Sequence, residues 1–173
     1  MNEQHIGASL LQRAKAILLQ PREEWPVIEG EASSIASLYK SYIMPLAAIG
    51  PVAGFIHAVV FGNSFFGITH RPSFLSALST AVVSYIFTLI GVFLMALVID
   101  FLAPRFGGTA NRNNAFKLAA YSATAAWVAG AFQLIPGLGM LGILGLYGLY
   151  LLFVGIPVMM KAPEDKAVIY TVA

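Results

Sequence analysis

Residues 115–160 read AFKLAAYSATAAWVAGAFQLIPGLGMLGILGLYGLYLLFVGIPVMM, two apolar runs that meet at Ile135-Pro136-Gly137 with Lys117 as the only charge. A bilayer's hydrocarbon core takes about 20 consecutive apolar residues as helix, and each run supplies that length. Proline and glycine are the weakest helix formers, so the fold-back belongs at Pro136. The stretch predicts a transmembrane helical hairpin with arms over about 115–135 and 137–160.

The rest of the chain is built from the same material. Of its 173 residues, 58% are hydrophobic and 10% charged, with a mean hydropathy of +0.79, whereas a soluble domain carries about 25% charged residues. A polytopic membrane protein follows. The absence of cysteine rules out a disulfide framework, a thiolate metal site and a cysteine nucleophile.

Upstream of the hairpin, residues 78–102 form a second long apolar run that ends at Ala103-Pro104, with Asp100 about one turn inside its end. The polar loop over 105–114 follows, and Asn113 or Asn114 is the expected cap of the next helix. Residues 40–61 make the first span, opened by Tyr39 and Tyr42 and kinked where Pro51 removes a backbone donor. His57 is an isolated ionisable residue near its far end. Between these spans, 62–77 reads as a loop with a short interfacial helix beginning near Pro72.

Ahead of the first span, residues 9–20 place Leu10, Leu11, Ala14, Ile17 and Leu18 on one helical face, too short and too charged to cross. Arg13, Lys15 and the lack of a small-residue cleavage site argue against a signal peptide. Pro21 stops this helix and can open another, with Glu23 and Glu24 near the positive end of its dipole. The expectation is an interfacial anchor through Leu11, Ile17, Leu18 and Trp25.

The fold class that results is an all-α, polytopic transmembrane bundle of four spans behind an N-terminal amphipathic interfacial helix. Residues 1–39 form the interfacial segment, 40–160 the bundle, and 161–173 a cytoplasmic tail or the opening of a fifth helix. Lysine and arginine set the orientation. Arg13, Lys15, Arg22, Lys40, Arg105, Arg112, Lys117, Lys161 and Lys166 fall on one side and Arg71 alone on the other, which puts both ends in the cytoplasm of an inner-membrane protein.

Packing and chemistry can be read further. Ala115, Ala119, Ala123, Ala126 and Gly130 give the third span a small face for close helix approach. Gly139, Gly142, Gly145 and Gly148 recur every third residue and, on an α-helix, drift around the fourth. Folding about Pro136 brings Tyr147 and Tyr150 to the depth of Thr124 and of Tyr121 with Ser122, a candidate intramembrane hydroxyl cluster. Asp100, Arg105, Arg112 and Lys117 gather at the cytoplasmic face. A carboxylate in hydrocarbon needs a partner, so Asp100 is expected to pair with Lys117 or an arginine, tying the second span to the third. The remaining positive charge is a candidate site for anionic lipid or a phosphate headgroup. Gly137 to Gly142 match G-x-G-x-x-G, but they follow a membrane helix instead of a strand and lack the later acidic residue, so no dinucleotide site is read. No hydrolase, metal or paired-carboxylate motif occurs, and no basic stripe for nucleic acid.

The stretch Leu18 to Glu31 (LLQPREEWPVIEGE), the polar second loop, AYSATA at 120–125 and YLLFVGIP at 150–157 resemble the bacterial branch of the Ypt-interacting (YIP) domain family. Tyr121 stands where the family's Gly-Tyr-x-x-x-Pro pattern has its tyrosine, with Ala120 and Ala125 in place of the glycine and proline. The resemblance implies an integral membrane protein, usually of five spans, linked in eukaryotes to Rab-type GTPases and vesicle traffic. The functional expectation is a non-catalytic scaffold that organises membrane or binds a partner, without cofactor. Its expected partners are membrane lipids and a protein or second copy. The alternative is a small transporter, channel or lipid-handling protein, motivated by the kinked first span, His57 and the hydroxyls of Tyr121, Tyr147 and Tyr150.

Overall fold

The computed structural model describes residues 4–65 and 68–172, and almost all of them are helical. Two helices, α1 (Gln4–Leu19) and α2 (Pro21–Gly30), precede the bundle. Pro21 takes the first helical position of α2, where its missing N–H costs nothing. Then come α3 (Ile35–Val60) and α4 (Phe74–Phe106), joined through a small antiparallel hairpin of β1 (Asn63–Phe65) and β2 (Ile68–His70). Next are α5 (Arg112–Gly130), α6 (Leu138–Met160) and α7 (Glu164–Val172). Among the described residues, α3, α4 and α6 are the helices long and apolar enough to cross a membrane.

Caps and proline explain the boundaries. Ser73 accepts a hydrogen bond from the Ser76 N–H at 3.2 Å, so α4 starts earlier than hydropathy implies and absorbs the short helix expected near Pro72. Asn111 caps α5 by accepting from the Asn114 N–H at 3.1 Å, in place of Asn113 or Asn114. In α3, a π-turn over Tyr39–Ile43 leads into Pro45, and the helix is interrupted at Ala48, three residues before Pro51. Proline removes the bond to the residue four back, so the kink expected at Pro51 appears in the turn before it. Tyrosines stitch this irregular helix to α4 in both directions. Tyr39 donates to the Leu89 carbonyl and Tyr85 to the Met44 carbonyl, each at 3.1 Å.

α5 is the axis of the molecule. Residues 115–122 are buried on every side, which one small face does not require and a central helix does. A helix walled in by protein need not be as apolar as its lipid-facing neighbours, so α5 can carry Lys117, Ser122 and Thr124. Glycines set the distances to it. A Cβ on Gly130 of α5 would lie 2.9 Å from the Gly50 Cα of α3, and one on Gly148 of α6 would lie 2.7 Å from the Ser122 carbonyl oxygen.

α6 departs from the expected α-helix. Leu138–Leu146 is a 3₁₀-helix of nine residues, long for that form, before the α-helical Tyr147–Met160. At three residues per turn, Gly139, Gly142 and Gly145 stack in line instead of drifting. The register foreseen for the hairpin is seen in the approach of Gly145 to Ala126 and of Gly148 to Ser122. Gly145 and Gly148 occupy the face toward α5, however, and Tyr147 is turned from it. Tyr147 donates to the Leu18 carbonyl at 3.0 Å and its ring lies 5.3 Å from that of Tyr150. Tyr147 and Tyr150 therefore stand apart from Tyr121, Ser122 and Thr124.

Candidate functional site

α1 and α2 fold back on each other and dock against the Lys117 end of the bundle. Arg13 of α1 holds both Glu24 and Glu31. Burial disfavours its charge, but Glu31 and the hydrogen bond to Glu24 overcome that and raise the Arg13 pKa above its ordinary value. Trp25, expected at the headgroups, is fully buried inside the protein. Its ring meets Tyr121 edge-on at 6.4 Å and occupies the space that Gly155 leaves, where a Cβ would come within 2.6 Å of it. Ile17 is likewise buried, Leu18 half-buried and Leu11 exposed, so the four residues expected to anchor in lipid divide between core and surface. The physical reason is the space that Gly155 leaves beside Leu118, which the apolar part of the indole fills while its N–H has no partner among the described residues.

Lys117 closes this end. Its side chain is 2% exposed, and its ammonium donates to the Ile28 carbonyl at 2.9 Å and to the Glu31 carbonyl. These are carbonyls at the C-terminal end of α2, where the helix dipole is negative and intrahelical donors run out. Asn113 of α5 donates to the Ser33 carbonyl at 2.7 Å, and Lys161 pairs with Glu29 at 3.2 Å. The hydrogen bond from Tyr147 to Leu18 sets how far the turn between α1 and α2 reaches. At 1.5 Å per residue, it lies about 20 Å down α6 from Lys161.

Asp100, Arg105 and Arg112 form a separate group. Arg112 stands 3.8 Å from Asp100 with its side chain 67% exposed, and Arg105 lies over the Phe101 ring at 4.5 Å from its centroid. Lys117 is thus not the partner of Asp100. It turns instead toward the Ile28 and Glu31 backbone carbonyls. α7 adds Tyr170, which donates to the Ile99 carbonyl and stacks on Phe106 at 4.9 Å. Burial, with Asp100 nearby, pushes the Tyr170 hydroxyl pKa upward.

The intramembrane hydroxyls are centred on a residue that spacing did not single out. Tyr42 of α3 shares a hydrogen bond with Thr124 at 2.8 Å, and its ring lies 4.4 Å from that of Tyr121. Ser122 is buried, and its hydroxyl has no partner among the described residues. His57 sits half-buried against Phe61 at 5.6 Å, away from both groups.

At the opposite end, between α3, α4 and α5, lies a cleft of about 680 Å³. One wall is the kinked part of α3 with Gly50, Pro51 and Gly54, and Gly130 and Gln133 lie at its base. The other wall is α4, which presents Ser76, Thr80, Ser84 and Thr88 in succession. Those four hydroxyls recur every fourth residue and so share one helical face, a spacing visible in the sequence but masked by the high average hydropathy of the span.

Comparison with known proteins agrees with this architecture. The Yip1 domain family model matches residues 15–173, nearly the whole chain, and the chain belongs to that family. No curated protein and no solved structure matches it.

Proposed function

We propose that this Yip1-family protein is a non-catalytic, membrane-organising scaffold that crosses the membrane four times and carries its N-terminal helix pair as a wedge in one leaflet. The observation that supports it most is the buried Lys117, whose ammonium fastens the end of α2 to α5. A tether of this kind makes α1 and α2 part of the bundle and fixes how deep they sit. Their outer side exposes Leu11 and Leu19, at 70% and 68%, beside the exposed Lys15 and Arg22. Apolar side chains there belong among acyl chains, and the basic ones belong with anionic headgroups.

On this reading α5 is the fourth crossing, shielded from lipid by α3, α4 and α6. The lysine and arginine bias places the Lys117 end in the cytoplasm, at the bacterial inner membrane. Arg105 and Arg112 add to the headgroup contact there, and the same face is open to a protein partner. A helix pair inserted in one leaflet enlarges that leaflet against the other and favours curvature.

Reconstitution into vesicles containing anionic lipid tests this. With rising protein-to-lipid ratio, the full chain should give smaller vesicles by electron cryomicroscopy than a variant lacking residues 1–31. Equal diameters for the two proteins would overturn the wedge.

A further inference from the structure

The cleft between α3, α4 and α5 has a definite chemistry. Its hydroxyl ladder runs from Ser76 to Thr88, about 18 Å along the helix axis and more than half of a hydrocarbon core about 30 Å thick. Thr80 donates to the Ser76 carbonyl and Thr88 to the Ser84 carbonyl, each at 2.9 Å. Their hydrogens are therefore spent within the helix, and what they offer the cleft is oxygen lone pairs. Pro51, with no N–H, leaves the Ala47 carbonyl without its usual helical donor on the facing wall. Among the described residues no Asp, Glu, Lys or Arg lines the space.

With acceptors along α4 and at Ala47, and with the Gln133 amide and the His70 ring also in its lining, a recess of this size suits a ligand that brings hydrogen-bond donors and acceptors and no net charge. At that depth in a bilayer the available ligand is a lipid. Ser76, Thr80 and Ser84 are exposed, leaving the recess open along the face of α4 by which a lipid would enter. We propose that the cleft binds the headgroup of a net-neutral phospholipid whose ammonium carries N–H donors, as ethanolamine does and choline does not. The proposal is independent of the wedge, because among the described residues none of α1 or α2 lines the cleft.

Native mass spectrometry of the full chain tests it, with phosphatidylethanolamine and phosphatidylcholine of one acyl composition offered in equal amounts. One or two added hydrogen bonds predict retention of the ethanolamine lipid over the choline lipid by about tenfold. The double variant Thr80→Val with Thr88→Val should bring that ratio close to one. Thr80→Ser with Thr88→Ser, which keeps both hydroxyls, should preserve the preference and so separates loss of binding from loss of fold. Equal retention of the two lipids by the natural chain, or an unchanged preference in the valine variant, would overturn the proposal. So would displacement of the lipid by free ethanolamine, or a lipid-free dimer, which would assign the cleft to a soluble amine or to a second copy.

Discussion

The two ends of α5 are surrounded very differently. At the Lys117 end α3, α4, α6 and the docked α1–α2 pair enclose it, Trp25 fills the gap over Gly155, and even an ammonium finds backbone partners. At the Pro136 end no described residues form anything equivalent to α1 and α2. The kinked α3 approaches closely where Gly50 meets Gly130 and where Gly54 meets Gln133, a cleft opens beside it, and Gly139 and Gly142 border open space. Small residues let helix backbones approach closely at both ends, but only at the Lys117 end does a further element cover the contact. One end of the bundle is thus built as a closed joint and the other as a recess.

Trp25→Ala is the strongest way to open the closed end, since it empties the space over Gly155. A destabilisation of about 3–5 kcal/mol is expected, read from thermal unfolding in detergent together with faster hydrogen exchange in α2. Lys117→Met keeps the bulk but removes the charged donor from the Ile28 and Glu31 carbonyls and leaves Ile28 only its backbone bond from the Glu31 N–H, for a loss of about 1.5–3 kcal/mol. Protease sensitivity between α2 and α3 should rise in that variant while the α3–α4 contacts persist. If cleavage stayed at the natural rate, Lys117 would not be the fastener.

Glycine substitutions sharpen the contrast at the other end. Gly130→Ala drives a Cβ toward Gly50 and should cost about 1–3 kcal/mol, whereas Gly139→Ala meets open space and should change the melting transition by less than about 0.5 kcal/mol. Equal effects at the two glycines would mean that the open space beside Gly139 is packed in the membrane. Asp100→Asn should have the smallest effect, under about 1 kcal/mol, because its partner Arg112 is exposed and 3.8 Å distant. Melting curves at low and high salt measure it.

Much of this was legible in the residues. Pro136-Gly137 marked the fold-back, the alanines of the third span announced close packing, and Pro21 separated α1 from α2. The depth match between the arms of the hairpin also followed from counting outward from Pro136. The direction in which each side chain points did not follow. Counting puts Tyr147 level with Thr124, but in the 3₁₀ register it is the glycines that line up, and Tyr147 turns toward α1. Lys117 illustrates a second gap. Near Asp100 in a one-dimensional charge map, it reaches instead for carbonyls 86 and 89 residues earlier in the chain.

Composition and periodicity alone determine that this chain is a bundle of apolar helices, where those helices break, and which of them can pack closely. These are properties of short stretches and of their solvent, since a long apolar run has one low-energy environment and a proline one consequence for the turn before it. Only the tertiary structure decides that Trp25 is core instead of membrane anchor, that Lys117 serves α2 instead of Asp100, and that four hydroxyls on α4 face a cleft. Each depends on which element comes to lie beside a given helix face, and that is chosen by contacts between residues far apart in the chain.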